Sequence, residues 1–279
     1  MKLFLKKIRK LKIFDWFLIL IFLILAIGFF AFFFRQSKQL TVRLKITEKN
    51  VLYAYSTPPS WFVYLFKPGM SEKDGFGRIN AEVLDVYFYD TAPAYKATYL
   101  TLSLKTTYNG RSQEYKYKGN PVVVGESLRV NLDGILAEGL IVGVDQTKDQ
   151  LGYDWFKVEA RLMENQNISF TETTGIDLFI ADALNLGDKI FDSNGDAIAE
   201  ILDKKVLPAE KNTFDDRGNV YQKFDPRKKD VFLTLKVRVR KINNEYYFFD
   251  DIQLKINQIL PLNFIDISIY PVVTQIEEI

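Results

Sequence analysis

The chain repeats itself. Ala81-Glu82-Val83-Leu84-Asp85 returns as Ala199-Glu200-Ile201-Leu202-Asp203, and a glycine, Gly69 or Gly187, stands twelve residues before each. Leu100-Thr101-Leu102-Ser103-Leu104-Lys105 is answered by Leu233-Thr234-Leu235-Lys236-Val237-Arg238, and Leu128-Arg129-Val130-Asn131 by Leu254-Lys255-Ile256-Asn257. The entry segments agree in character, Thr41–Thr47 against Lys157–Met163. The offsets are 118, 133 and 126. Unequal spacing of this kind is expected of loops, which absorb insertions cheaply, and the second copy carries a polar, proline-containing insertion from Pro208 to Asp230. Two tandem modules are expected, 40–153 and 154–279, each of ordinary domain size.

Within each copy the hydrophobic period is two. Leu40, Val42, Leu44 and Ile46 alternate with Thr41, Arg43, Lys45 and Thr47, and Leu233, Leu235, Val237 and Val239 alternate with polar residues. Such alternation predicts antiparallel strands with one face buried and one solvated. Turn dipeptides punctuate them: Asp74-Gly75, Asn109-Gly110, Asn194-Gly195, Arg217-Gly218 and Asn243-Asn244. One short helix is expected per module, over Pro59–Phe66 in the first. In the second, Ile176, Phe179, Ile180, Ala183 and Leu184 share a helical face, with Thr173 or Thr174 as N-cap. The fold class read from this is mainly β, a small barrel or sandwich per module with a helix at one opening, since closure removes exposed edges.

Ahead of the modules, Trp16 to Phe34 form nineteen residues without a charge. A helix of that length reaches ~28 Å, close to the hydrocarbon thickness of a bilayer. A cleaved signal peptide would have a shorter apolar core and a small-x-small exit. Phenylalanines crowd this exit, so the segment reads as a retained signal-anchor: tail 1–15, span 16–34, linker 35–39. Lys6, Lys7, Arg9, Lys10 and Lys12 sit in the tail, which the positive-inside rule keeps in the cytoplasm and which would meet anionic headgroups. The body is then extracytoplasmic. Residues 1–39 carry eight basic side chains against one acid; with the whole chain at +2, the body is left at −5. That disfavours nucleic acid as a partner, because phosphate binding needs a basic surface.

Cysteine and histidine are both absent. Disulfides, thiolate nucleophiles and the usual neutral-pH proton shuttle are therefore excluded. Asp192, Asn194 and Asp196 offer oxygen ligands of the kind calcium takes. The spacing fails a helix-loop-helix calcium loop, since Ala197 stands at the sixth position where glycine is needed, and Asn194-Gly195 reads as a hairpin turn. The pairs Asp215-Asp216, Asp250-Asp251 and Glu277-Glu278 read as solvated surface rather than a glycosidase pair held across a cleft. Trp61, Phe62, Tyr64 and Phe66 read as core more than as membrane-interface aromatics, and Tyr246-Tyr247-Phe248-Phe249 likewise. Asn167-Ile168-Ser169 satisfies the glycosylation sequon. No catalytic residue or cofactor is assigned.

Gly187-Asp188-Lys189-Ile190-Phe191-Asp192, Gly195, Ile198-Ala199-Glu200-Ile201 and Pro208 resemble the family filed as domain of unknown function 4330. So do Asp225-Pro226-Arg227, the run Asp230 to Lys236, and Val124–Val130 leading to Glu138–Val144. The first module departs from the pattern, with Pro68-Gly69-Met70 where the Gly-Asp pair would stand. The resemblance implies a bacterial protein with one N-terminal span and a β-rich body, and no reaction. The function expected is an envelope scaffold whose modules bind another protein or an envelope polymer. The alternatives are a membrane-tethered hydrolase working without His or Cys, and an accessory of a shape-determination or export machinery.

Overall fold

A computed structural model describes residues 13–33, 37–47, 57–145, 152–163, 173–242, 244–249 and 251–279. Lys6, Lys7, Arg9, Lys10, Lys12, Phe34, Asn167 and Asp250 lie outside the described residues. Two compact units make up the chain: Met1–Gln39 with Lys105–Val122, and Leu40–Leu104 with Val123–Ile279.

The smaller unit holds helix α1 (Ile13–Phe33) and the short strands β5 (Glu114–Tyr117) and β6 (Asn120–Pro121). Trp16 to Phe29 are exposed apart from the half-buried Ala26. Among the described residues no helix is long and apolar enough to cross a membrane; side chains of α1 are described only over Trp16–Phe29, ~21 Å of helix. Lys38 sits over the Tyr115 ring at 5.1 Å, and the Thr106 hydroxyl donates to the Lys38 carbonyl at 2.8 Å.

The larger unit is mainly β, built from curled antiparallel sheets. The first contains β1 (Ser37–Ile46), β2 (Ser71–Lys73), β3 (Ile79–Ala92), β4 (Tyr95–Asn109), β7 (Ser127–Leu132) and β8 (Ile135–Val144), in the order β2-β3-β4-β1-β8-β7. Its ends approach each other, for Asp133 N–H donates to the Ser71 carbonyl at 3.1 Å and the Asp133 carboxylate accepts from Ser71 N–H at 3.1 Å. The second contains β9 (Tyr153–Leu162), β10 (Ile176–Asp177), β11 (Lys189–Phe191), β12 (Ala197–Phe214), β13 (Val220–Ile242), β14 (Glu245–Phe248), β15 (Ile252–Gln253) and β18 (Val272–Glu278). It runs β11-β12-β13, with β9 between β13 and β18. A separate two-stranded sheet is formed by β16 (Leu262–Asn263) and β17 (Ser268–Ile269). The alternation read from sequence is the pleat itself. Leu40, Val42, Leu44 and Ile46 point inward, as do Leu233, Leu235, Val237 and Val239, each such aliphatic contributing ~1.5–3 kcal/mol by burial.

The pairing registers of the two sheets coincide under simple shifts. Adding 118 to the β2–β3 pairs Ser71↔Glu82, Glu72↔Ala81 and Lys73↔Ile79 gives the β11–β12 pairs Lys189↔Glu200, Ile190↔Ala199 and Phe191↔Ala197, with the irregularity at the same step. On the next ladder Ala81↔Leu104 and Val83↔Leu102 match Ala199↔Val237 and Ile201↔Leu235, and Leu84 and Leu202 bulge out at the same place. Gly69 N–H donates to the Val83 carbonyl at 2.8 Å and Gly187 N–H to that of Ile201 at 2.9 Å, both glycines at positive φ. Only glycine adopts that φ freely, which explains the shared Gly spacing. The strand orders β2-β3-β4-β1-β8 and β11-β12-β13-β9-β18 also correspond.

Three expectations are corrected. The sequence matches the third pair at an offset of 126, but the structure aligns that region at 132: Gly125 and Asn257, both at positive φ, donate to the carbonyls of Ile141 and Val273. Leu128 therefore answers Leu260, and Val130 answers Leu262. The helices are single turns, α2 (Ser60–Val63) and α3 (Leu178–Asp182), entered from Pro59 and Asp177 without a side-chain cap bond. Ile176 instead belongs to β10, Thr173 bonds Gly175 N–H, and Thr174 accepts from Arg161. Finally, the Pro208–Asp230 insertion is no loop. It prolongs the β12–β13 ladder, with a register break beside Pro208, where a residue lacking N–H is tolerated.

Candidate functional site

The best-formed polar cluster lies where the β3–β4 hairpin meets the second sheet. Turn chemistry fixes its acid. Asp192 follows β11, and one carboxylate oxygen accepts from the backbone N–H groups of Asn194 (2.9 Å) and Asp196 (3.0 Å). Such an Asx turn is what Asp does ahead of Asn-Gly. The other oxygen accepts from the Arg238 guanidinium at 2.8 Å, and the two side chains are 1% and 10% exposed. Arg238 also donates to the Tyr87 hydroxyl at 2.9 Å and lies over the Tyr153 ring at 4.6 Å. Burial alone would lower the Arg238 pKa; the hydrogen bond and charge of Asp192, with Tyr87 and Tyr153 beside it, outweigh that and raise it. The cation is therefore permanent.

Around this pair stands an aromatic layer. Tyr89 stacks on Phe249 with ring centroids 4.6 Å apart and donates its hydroxyl to the Phe249 carbonyl at 2.6 Å. Arg43 caps the Tyr99 ring at 4.6 Å, and Lys45 pairs with Asp251. The backbone joins as well: Ser193 N–H donates to the Phe88 carbonyl at 2.9 Å, Phe88 N–H donates to the Ser193 hydroxyl at 3.1 Å, and Tyr89 bridges Asp192. The cleft left among Tyr87, Tyr89, Tyr153, Tyr247 and Arg238 encloses about 10 Å³, the lower limit for one water. A guanidinium tied down on two sides in this way holds two sheets together.

The oxygen ligands considered for a cation are thus placed. Asp192 is committed to the turn and to Arg238, Asn194 and Asp196 are exposed around it, and a cation beside the guanidinium would be repelled. Among the described residues no group of three or more acids is arranged to hold a metal ion. The other copy's turn shows what the buried pair adds. Asp74, the counterpart of Asp192, binds the N–H groups of Phe76 and Arg78 in the same way, but turns its second oxygen to Arg78 Nε at 2.8 Å. The Arg78 N–H and guanidinium hold its carboxyl below the usual range, against partial desolvation. Asp215 organises the β12–β13 turn similarly, bonding Arg217 and Asn219 N–H. Of the aromatic stretch in the first copy, Phe66 is buried while Trp61 and Tyr64 are exposed; Phe248 and Phe249 are both core.

Tyr87, Tyr89, Tyr99 and Arg238 were not singled out from sequence, because each occupies an ordinary strand position. A signal was present in the difference between copies: the first has Tyr87, Tyr89 and Tyr99 where the second has Lys205, Leu207 and Phe232. No family model, curated protein or solved structure matches the chain.

Proposed function

We propose that the chain is a single-span, membrane-anchored envelope protein whose two duplicated β modules form a rigid extracytoplasmic scaffold for another protein or an envelope polymer. The observation that carries the anchor is α1. From Trp16 to Phe29 its side chains are apolar throughout and, apart from the half-buried Ala26, exposed, an arrangement stable in lipid and costly in water. Six basic residues precede it against Asp15 alone, which favours a cytoplasmic N-terminus and contact with anionic headgroups. The coincident registers support descent of both modules from one unit, and the resemblance to family 4330 fits the same layout. Scaffolding follows from the joint at Asp192–Arg238: modules locked together present their outer faces at a fixed spacing, so two weak contacts made at once gain in avidity.

The absence of cysteine makes the test clean. A Phe76→Cys variant in cells should be labelled by a membrane-impermeant maleimide, and the protein should stay in the membrane fraction through alkaline carbonate extraction. Labelling only after lysis, or release by carbonate, overturns the reading.

A further inference from the structure

Among the described residues, the joint within the chain has a counterpart without a partner strand on each sheet. In the first copy, the outer edge of β3 at Phe88 and Tyr89 is paired by the turn residues Asp192 and Ser193. The matching edge in the second copy is β12 at Val206 and Leu207, in the same register, since Phe88↔Thr98 becomes Val206↔Val231. Among the described residues β11 pairs β12 only over Ala197–Glu200, and no strand covers the edge beyond it. Val206 and Leu207 are each 39% exposed and Phe232, which answers Tyr99, is 37% exposed. The matching acceptor in the first copy is the Asp74-Gly75 turn. It has the same hydrogen-bonded form as the Asp192 turn and is flanked by Phe76, 87% exposed, and Ile79, 47% exposed. One chain thus presents a donor edge on its second module and the corresponding acceptor turn on its first.

We infer that the partner of these two surfaces is a second copy of this chain. The β12 edge at Val206 of one molecule pairs with Gly75 of the next, repeating between molecules the contact that joins the modules within one. Such an interface is heterologous, so unless rotation closes a ring it propagates head to tail. Gly75 provides the N–H of Ser193 but not its hydroxyl, and Lys205 and Leu207 stand where Tyr87 and Tyr89 bond Arg238 and the Phe249 carbonyl, so the intermolecular joint keeps the backbone bond, lacks those three side-chain bonds and relies on Phe76 and Ile79 meeting Leu207 and Phe232. The contact is accordingly weaker and concentration-dependent. This inference rests on the module reading above and not on the membrane anchor.

Oxidative cross-linking of the full chain in detergent tests it. Gly75→Cys with Val206→Cys in one molecule should give a ladder of dimer, trimer and higher species on a non-reducing gel, removed by reductant. A one-to-one mixture of the two single variants should stop at dimer. Phe88→Cys with Ser193→Cys, the same pair within one chain, is the control and should close as a monomer; hydrogen-bonded antiparallel neighbours lie within disulfide reach. A double variant that stays monomeric while the control closes overturns the inference and leaves the scaffold reading standing. If neither pair closes, the shared edge geometry is wrong and both fall. Cross-linking to a different protein from cells, without a self-ladder, also overturns it.

Discussion

At the scale of the residue, one substitution pattern separates a joint from a surface. Asp74 and Asp192 make the same turn bonds, yet only Asp192 is sealed under aromatic rings, because Arg238 replaces a local arginine as its partner. Removing one member of a buried pair leaves the other charged and desolvated, which costs ~3–5 kcal/mol, whereas removing both with retained volume is much milder. Arg238→Met should therefore lower stability by about 3–5 kcal/mol in urea denaturation, and Arg238→Met with Asp192→Asn by clearly less. Equal losses in the single and double variants would refute the coupling. This pair was illegible in the sequence for a physical reason: Asp192 announced a turn, and nothing in strand alternation tells which outward-facing arginine a turn carboxylate will meet.

Among the elements, the prolonged β12–β13 hairpin behaves unlike the rest. From Ala209 to Asp225 it is a two-stranded ribbon, with Glu210↔Phe224 and Thr213↔Tyr221 paired and Val220 and Phe224 exposed. A lone hairpin has little stability of its own, so its amides should exchange with deuterium long before those of Val231–Val239. Replacing Glu210–Phe224 by Asn-Gly should leave the melting temperature of the remainder within a few degrees; a collapse of the fold would mean the ribbon is structural. The strands themselves were legible, since alternation and turn dipeptides fall where the ladders and turns are. The insertion was misread because polar composition with proline describes an exposed ribbon as well as a loop. The helix ends were misread because Pro59 and Asp177 enter their turns by backbone geometry alone. The Ala-Glu-x-Leu-Asp phrase was visible as a repeat but not as a bulge; its leucine, Leu84 or Leu202, is the residue squeezed out of the ladder in each copy.

Over the whole molecule, the correspondence between the two sheets extends further than the matched words. Strand order, bulges and positive-φ positions correspond where the side chains do not, as at Gly125 and Asn257, because ladder geometry restrains the backbone more tightly than it restrains identity. The contact between the two sheets was beyond sequence reading for the converse reason: it depends on Tyr87, Tyr89 and Arg238, at positions where the two stretches of sequence differ. Deleting β18 should expose this organisation. β9 would lose one of its two neighbours, the strand that pairs it from Val272 to Glu278, and the second sheet should become sensitive to protease while the first keeps its protected core. Protection of both would show that β18 is dispensable.

The placement of β1 and β9 has a consequence for biosynthesis. Each is the opening strand of its copy, yet each lies inside its sheet, flanked by a strand made much later: β8 for β1, β18 for β9. Neither can be enclosed while the ribosome is still delivering the intervening residues, so each emerges with a greasy face waiting for neighbours not yet synthesised. Sheets assembled from such distant contacts form slowly, and the nascent polypeptide is most vulnerable to mispairing and chaperone capture in those two intervals.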